Sequence, residues 1–426
     1  MMTEENQKRY DEKYARMRAA LELREPDRVP INIGGGAFAF VDAGYTVAEI
    51  NYDESLEKAT NAMRRFLQIY DPDVCNGLGM SFAGEGPGHE LQGGNTLFIA
   101  GMKNAPIRMS DNSGPQFLEQ LMLPDEEIDA FCEDYTKWSL NCYLPRLSTV
   151  MEPFRDFKLP LNHRGITDIA AQFSRPEIRK AIEKMWEITD FYKDYRARCG
   201  KVDRSLQELG YPSFGGGARA VVPFDKYSDT FRGFIHALMD VYEHEEEMVA
   251  YMERFQVENL QGIRDANRDG SRNGRFMAMA LHKGFDGMLS DEQYAKYYWK
   301  DLKACIETAQ QCGLIAQPFC EGKYNTRLKY LADIQPGNVY YTFESIDFAE
   351  AKRLLQGKAC IGGGFPSELL YFGTKEQVAD KVKEILDIAA PGGGFIFGLS
   401  AGLNAEAKRE NVETMFDTVR TYGKYR

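Results

Sequence analysis

Residues 275–284, RFMAMALHKG, form an almost uninterrupted apolar run that ends in polar residues. Four more apolar runs follow, separated by amphipathic helical stretches: GLIAQPFCEG (313–322), NVYYTFES (338–345), KACIGGG (358–364) and GGGFIFGLSAG (392–402). Such alternation is typical of parallel βα units. Because the runs are apolar throughout, they favour strands covered on both faces, as in a closed α/β barrel with an outer ring of helices.

Polar or glycine residues close these runs. The chemically useful side chains that we place at or just after strand ends are His282, Cys320, Glu321, Glu344, Cys360 and Ser400. In α/β barrels the active site is built from loops at the carboxyl ends of the strands. We therefore expect the functional site on that face.

The first half of the chain gives weaker signals. VPINIGGGAFAF (29–40) predicts a first strand that runs into a flexible loop. DPDVCNGLGMSFAGEGPGHELQGG (71–94) predicts a second strand followed by a glycine-rich excursion, and LPLNHRGI (159–166) predicts a further strand end. The glycine runs lie in no phosphate-binding motif, and we interpret them as tight turns or close backbone approaches.

Composition excludes several classes of protein. Of the 426 residues, 52 are Lys or Arg and 64 are Asp or Glu, and the net charge of −12 repels nucleic acids and anionic membrane surfaces. The eight cysteines show no disulfide framework and indicate free thiols in a reducing compartment. No run approaches the roughly 18 apolar residues of a membrane span, so we expect a cytoplasmic protein.

We expect a single domain over residues 1–426, because no linker or composition break divides the sequence. Its first residues, about 1–25, are charged throughout and predict a helical extension rather than a targeting signal. The sequence leaves the oligomeric state open.

Three segments resemble the uroporphyrinogen decarboxylase superfamily, which contains porphyrinogen decarboxylases and corrinoid-dependent methyltransferases. They are REPDRVP (24–30), VPFDKYSD (222–229) with Arg232 and Gly233, and a tail with FGTKEQV (372–378), GGGFIF (392–397), ENV (410–412) and YGKY (422–425). The resemblance implies that the whole chain is one (β/α)8 barrel. From the residues alone, we assign Asp225, Ser228, Asp229 and Arg232 a structural role in closing a loop by ion pairing.

The branch within this superfamily depends on the site. Porphyrinogen decarboxylases carry an arginine-rich loop after strand one that grips substrate carboxylates, whereas residues 32–40 here, NIGGGAFAF, are uncharged. Methanol and methylamine methyltransferases bind zinc through His-x-Cys and a distant Cys, but this chain has PFC at 318–320 and LSAG at 399–402. Both comparisons direct attention to another set of ligands.

Cys320, Cys360 and Glu292 resemble the acid, Cys, Cys zinc pattern of ether-cleaving methyltransferases, which demethylate methoxylated aromatics. The acid in that pattern is Asp, and here Glu292 takes its place. The third ligand stays open among Glu292, Asp291, Glu321, Glu344, His282 and Asp286. Zinc would act as a Lewis acid on the ether oxygen, and a corrinoid (cobalamin) carried by a partner protein would accept the methyl group.

Aromatic residues near the predicted strand ends are expected to bind a small methoxylated aromatic substrate: Phe38, Phe40, Tyr211, Phe214 and Phe319. His282 and His163 are the candidate catalytic residues, as hydrogen-bond partners of a substrate hydroxyl. The sequence predicts a zinc-dependent methyltransferase. Two alternatives stay open, a decarboxylase on the same fold and a non-catalytic corrinoid- or pterin-binding barrel, and so do the methyl donor and the direction of transfer.

Overall fold

The structure is a computed structural model that describes residues 2–78 and 81–425. Its strands are β1 (Leu97–Phe98), β2 (Gln116–Phe117), β3 (Ala218–Arg219), β4 (Phe276–Leu281), β5 (Ile315–Lys323), β6 (Tyr340–Ser345), β7 (Cys360–Phe365) and β8 (Phe395–Leu399). Strands β3 to β8 form a parallel sheet in chain order, while β1 and β2 form a separate antiparallel pair.

The helices cover the outside of the sheet and the loops. They are α1 (Glu4–Leu21), α2 (Gly36–Asp42), α3 (Val47–Asn51), α4 (Glu57–Tyr70), α5 (Gly86–Gln92), α6 (Ile128–Glu133), α7 (Tyr135–Trp138), α8 (Leu144–Leu147), α9 (Ile166–Phe173), α10 (Pro176–Gln207), α11 (Pro223–Tyr227), α12 (Gly233–Glu243), α13 (Glu245–Ala266), α14 (Asp291–Gln293), α15 (Lys300–Gln311), α16 (Leu328–Leu331), α17 (Phe348–Leu355), α18 (Glu368–Phe372), α19 (Lys375–Ala389) and α20 (Arg409–Tyr422). Three π-helical turns, Ser139–Tyr143, Ser228–Arg232 and Tyr294–Trp299, and three 3₁₀ turns, Asp125–Glu127, Thr149–Phe154 and Asn325–Arg327, connect some of them. None of the helices in the described residues is both long enough and apolar enough to cross a membrane.

Three short extended segments close the sheet into a ring. Segment 30–33 pairs with β8, since the Asn32 N–H donates to the Phe397 carbonyl at 2.9 Å. Segment 73–75 lies between segments 30–33 and 212–214. The Asp73 N–H donates to the Ile31 carbonyl, and the Cys75 N–H donates to the Pro212 carbonyl. The Phe276 N–H donates to Phe214 and so joins segment 212–214 to β4. Strand β3 continues segment 212–214 along the same edge of β4, so the three segments and β4 to β8 occupy eight strand positions, which confirms the predicted (β/α)8 barrel.

The five apolar runs of the second half are the strands β4 to β8, as predicted. The first half differs in two places. Residues 36–42 form α2 and not a flexible loop, and residues 159–166 contain no strand but lead, largely exposed, into α9. Gly79 and Met80, within the predicted glycine-rich excursion, lie outside the described residues.

Helix α1 covers the amino ends of the barrel strands. Its Met17 and Leu21 pack with Phe276 and Tyr340 in a compact apolar cluster, and Tyr14 stacks on Phe214 at a ring distance of 5.3 Å. This apolar contact explains why a highly charged amino-terminal sequence forms a stable helix, since its inner face is buried while its charges lie outside.

The REPDRVP segment contributes to an ion-pair cluster at the same end. Asp73 is fully buried, and its carboxylate accepts two hydrogen bonds from Arg28 at 2.7 and 2.9 Å and one from Arg16 at 2.5 Å. It also accepts the Ile31 N–H at 2.7 Å, which ties the first strand segment to the second. We call Asp73, Arg16 and Arg28 the amino-end ion cluster.

Candidate active site

His282 directly follows β4, which ends at Leu281, and therefore lies at the carboxyl end of the barrel as predicted. Its Nδ1 is hydrogen-bonded to the carboxylate of Asp229, which comes from the π-helical turn after α11. Its Nε2 lies 3.8 Å from an oxygen of Glu321 on β5. Because 3.8 Å exceeds hydrogen-bond length, one ring nitrogen is fixed while the other remains available.

The charges around His282 favour its protonated form. The hydrogen bond to Asp229, helped by the negative charges of Asp229, Asp225 and Glu321, outweighs burial and raises the pKa of His282 to about 8. Burial alone would raise the pKa of Asp229, but hydrogen bonds from His282 and Lys283 outweigh burial and lower it. At neutral pH the pair is therefore an imidazolium held by a carboxylate.

Lys283 is the second cation at this position. Its ammonium lies 2.6 Å from the second oxygen of Asp229, and its side chain is only 11% exposed. Asp229 thus binds two adjacent cations, one through each oxygen. The ion pairing predicted for Asp229 is present, and its partners are Lys283 and the candidate catalytic residue His282.

Asp225 has the structural role that was predicted, and it fills this role through hydrogen bonds. Its fully buried carboxylate accepts the backbone N–H groups of His282 at 3.1 Å and Lys283 at 2.8 Å, and the Tyr298 hydroxyl at 2.6 Å. Burial raises the pKa of Asp225 to about 6 despite these donors. Asp225 therefore fixes the backbone turn that presents His282. Arg232 is also structural, since it is buried against Asp240, with hydrogen bonds of 2.6 and 2.7 Å.

A cavity of about 620 Å³ occupies the barrel lumen at this end. Phe319 and Glu321 of β5, Thr342 and Glu344 of β6, and Gly363 of β7 contribute to its wall. Gly363 has a φ of +78°, and a Cβ there would lie 2.5 Å from the Phe343 carbonyl oxygen, so only glycine fits. The glycine run of β7 thus leaves this side of the lumen without bulky side chains.

A second, mostly apolar cavity of about 580 Å³ adjoins the first, and the two share Asn32, Leu399, Ala401 and Gly402. Phe40, Phe66 and Phe82 are among its wall residues. We call the first space the lumen cavity and the second the apolar cavity. None of the described residues that line either cavity is Lys or Arg.

Two of the five predicted substrate-binding aromatics line these cavities, Phe319 the lumen cavity and Phe40 the apolar cavity. The other three pack elsewhere, so those predictions were wrong. Phe38 packs edge-on against Tyr70, the Tyr211 hydroxyl donates to the Leu67 carbonyl, and Phe214 stacks on Phe276 in the cluster beneath the barrel. All three side chains are buried in the hydrophobic core, as most large aromatic side chains are.

His163, the second predicted catalytic residue, was also placed wrongly. It is exposed in the irregular stretch before α9 and lines neither cavity. The sequence LPLNHRGI has apolar residues at its start, but Leu159 and Leu161 are exposed. The strand that would have carried His163 to the barrel mouth does not form.

The predicted thiolate pair does not assemble. Gln317, Phe319 and Glu321 line the lumen, so Cys320 points to the opposite face of β5, against the outer helices. Cys360 opens β7 in register with Tyr340, which faces the lumen, and packs in the cluster covered by α1.

The two cysteines also lie at different heights. Cys320 is in register with Phe343 and Cys360 with Tyr340, three residues nearer the amino end of β6, which is about 10 Å along a strand. One thiol faces outward and the other inward. The prediction that they bind one zinc ion was therefore wrong.

Glu292 does not complete a metal site either. It is exposed in the first turn of α14, where the Ser290 hydroxyl donates to its carboxylate at 3.0 Å and Ser290 caps the helix. Asp291 pairs with Lys329 at 2.7 Å, and Asp286 accepts the Thr326 hydroxyl at 2.7 Å. Within residues 2–78 and 81–425, no group of three His, Cys, Asp or Glu side chains is arranged to hold a metal ion.

We expect Cys320→Ala and Cys360→Ala to leave the zinc content of the purified protein unchanged, because the sulfurs face opposite sides of the sheet. Each substitution should lower the free energy of unfolding by roughly 1 kcal/mol through the small void that it leaves. Metal analysis by mass spectrometry, with urea denaturation on the same samples, checks both statements. One zinc per chain in the wild type, lost in both variants, would contradict this placement.

Comparisons with known proteins agree with this architecture. Residues 223–422 match the family model described as Uroporphyrinogen decarboxylase (URO-D), which confirms the resemblance predicted from the motifs. Over 150 residues the chain is 26% identical to a uroporphyrinogen decarboxylase from Anaeromyxobacter dehalogenans (strain 2CP-C), a match that covers 34% of this chain and 41% of that relative. The chain thus spans less than half of that curated relative's length.

Among solved structures, a methyltransferase from Methanosarcina mazei matches with a TM-score of 0.56. The match covers 96% of this chain and 98% of the other, at 12% sequence identity. At this identity the likeness is one of fold. The site residues must therefore be interpreted from their own geometry.

Proposed function

Since residues 223–422 carry the sequence of the uroporphyrinogen decarboxylase family on a barrel that a methyltransferase shares, we propose that this protein is a methyltransferase. It removes a methyl group from a small methoxylated, aromatic compound and passes it to the corrinoid cofactor of a partner protein. The observation that carries the proposal is the hydrogen bond of His282 to Asp229, with the other ring nitrogen 3.8 Å from Glu321 in the wall of a cavity whose described lining includes no Lys or Arg.

Ether cleavage needs help at the leaving oxygen, because the departing group is a poor, alkoxide-like anion. The Lewis acid that the sequence predicted does not fit the residues present, so no step is assigned to zinc. His282 provides the alternative, since an imidazolium with a pKa near the working pH is an effective general acid. Its Nε2 faces Glu321, which lines the lumen cavity.

The bond between the methyl carbon and the ether oxygen breaks, and its electron pair stays on the oxygen. That oxygen takes the proton of His282 Nε2 and leaves as a hydroxyl group, while the methyl carbon bonds to the electron pair of the acceptor. The neutral imidazole then regains a proton from solvent, which its 38% exposed side chain allows.

A corrinoid supplies a strongly nucleophilic metal centre for methyl transfer. The chain must therefore keep its site accessible to a partner. His282 and Glu321 are both partly exposed, and Glu344 on the neighbouring strand is exposed, so the carboxyl end of the barrel is open to solvent. The apolar cavity next to it offers space for an aromatic ring, with Phe40, Phe66 and Phe82 in its wall.

Decarboxylation of a porphyrinogen, the activity named for the curated relative, finds less support here. That substrate carries several carboxylates, which require arginine or lysine side chains as partners. Residues 32–40 include no charged residue, and the described lining of the lumen cavity contributes two carboxylates and no Lys or Arg. Turnover of uroporphyrinogen by the purified protein would decide for this second function.

The test of the proposal is methyl transfer from 2-methoxyphenol to a reduced corrinoid protein, followed by the spectrum of the methylated corrinoid and by release of catechol. Formation of both products in equal amounts is the expected result. Ligand binding without turnover in the presence of a competent acceptor would favour a non-catalytic binding barrel instead.

The pH dependence of kcat/KM follows from the proton on His282. We expect kcat/KM to be level below pH 8 and to fall about tenfold per unit above it, since the acid form is lost as pH rises through a pKa of about 8. In Asp229→Asn, the histidine loses the interaction that raises its pKa, and the alkaline fall should move toward pH 6.5. Single-turnover rates at a series of pH values measure both profiles.

The matched control for that profile is Asp291→Asn, at an exposed carboxylate paired with Lys329. Its profile should coincide with the wild type. A wild-type profile with no fall between pH 7 and 10 would show that the proton donor is not His282.

A further inference from the structure

We infer that the site accepts an uncharged methoxylated arene and discriminates against the same arene carrying a carboxylate. The inference deepens the proposed demethylation and rests on it. The observation behind it is the distribution of charge around the two cavities, whose described lining residues include no Lys or Arg to pair with a substrate carboxylate.

The lumen cavity is lined by two acidic side chains and, within the described residues, by no Lys or Arg. Glu344 is exposed, and one of its oxygens accepts the Gly322 N–H at 2.6 Å. Glu321 faces the same space, 3.8 Å from Nε2 of His282, so a substrate carboxylate at that nitrogen would lie against the like charge of Glu321. Two carboxylates therefore determine the sign of the field in the lumen.

The nearby cations are already engaged. Lys283 and His282 both bind Asp229, the first at 2.6 Å, and the Lys283 side chain is 11% exposed. When all the charged groups that interact here are counted, four are anionic and three are cationic, so the surplus charge is negative: Asp225, Asp229, Glu321 and Glu344 against Lys226, His282 and Lys283. Moving Lys283 to a substrate carboxylate would remove one of the two partners of Asp229 in a partly buried position, which is costly.

The apolar cavity does not provide an alternative place for a carboxylate. Its wall carries Phe40, Met63, Phe66, Phe82 and Ile99, and none of its described residues is acidic or basic. An anion transferred there loses hydration without gaining an ion pair. A neutral ring, in contrast, gains from burial against these side chains.

The expected effect is a difference in affinity between two ligands that differ only by the carboxylate. Like charges about 4 Å apart at a partly exposed site repel strongly enough to weaken binding roughly tenfold or more. The probes are 2-methoxyphenol and 4-hydroxy-3-methoxybenzoate, titrated calorimetrically into the full chain without any methyl acceptor. We expect the Kd of the benzoate to exceed that of the phenol by at least about tenfold.

Two variants test whether the carboxylates of the lumen cavity cause this difference in Kd. Glu344→Gln should narrow the ratio of the two Kd values severalfold, by strengthening benzoate binding while leaving phenol binding nearly unchanged. Glu384→Gln, at an exposed carboxylate paired with Lys381 on α19, should leave the ratio as it is.

The outcomes separate this inference from the function on which it rests. Equal or tighter binding of the benzoate overturns the charge selection and leaves demethylation standing. If neither ligand binds, the methoxyarene function fails and the inference fails with it. A ratio unchanged in Glu344→Gln overturns the assignment of the selection to the lumen carboxylates.

Discussion

Replacing His282 with glutamine is expected to lower kcat/KM for demethylation by about 10²- to 10⁴-fold, the usual contribution of a positioned general acid. Glutamine keeps a polar side chain of similar length that can still contact Asp229, but its amide cannot give a proton to the leaving oxygen. Substrate binding should change little, because the cavity walls are untouched. Single-turnover methyl transfer and calorimetric affinity for 2-methoxyphenol, measured on the same preparation, separate the two effects.

His163→Ala is the matched control, since His163 is an exposed histidine in the irregular stretch before α9, whereas His282 lies 3.8 Å from Glu321 in the wall of the lumen cavity. It should retain wild-type rates. At pH 6 Asp229→Asn should lose less activity than His282→Gln, because its histidine is still largely protonated. The loss in Asp229→Asn, relative to the wild type, should be larger at pH 8 than at pH 6. A His282→Gln variant that transfers methyl groups at the wild-type rate would place the acid elsewhere in the site.

The barrel could be predicted from the second half of the chain because its strands are buried on both faces. Burial of this kind produces uninterrupted apolar runs such as FMAMAL, which stand out from the amphipathic helices between them. The first three strand positions of the barrel are short extended segments joined by few hydrogen bonds, as at residues 73–75. Three residues carry too little periodicity to define a strand, so the first half of the chain has no clear strand pattern. Without that pattern, the predictions of a loop at residues 36–42 and of a strand end at 159–166 were wrong.

The site could be predicted only in part, for a related reason. His282 was found because it directly follows a clear strand. The pairing of Asp229 with His282 was not predicted, because this contact joins a helical turn to a distant strand end and no local pattern encodes it. The glycines after Cys360 suggested a loop, but the backbone of Gly362 to Gly364 continues β7 and pairs with β8. Cys360 consequently lies at the beginning of its strand.

Asp73→Ala is expected to lower the free energy of unfolding by about 3–5 kcal/mol, the usual cost of removing one partner from a buried ion pair. The carboxylate is fully buried and accepts hydrogen bonds from Arg28, Arg16 and the Ile31 N–H. Without it, two guanidinium groups that are each 11% exposed lose their common anion. The midpoint of urea denaturation, followed by tryptophan fluorescence, measures the loss.

Asp27→Ala provides the comparison within the same group of residues. Asp27 also binds Arg16, through two hydrogen bonds of 2.7 Å, but its side chain is 64% exposed, so its loss should cost at most about 1 kcal/mol. Equal midpoints of urea denaturation for the two variants would show that the amino-end ion cluster does not hold segments 30–33 and 73–75 together. Because this cluster lies at the amino ends of the strands and His282 at the carboxyl ends, Asp73→Ala should keep the wild-type rate per folded molecule. Stability and catalysis would then be separable along the barrel axis, with His282→Gln giving the converse result of a stable but inactive protein.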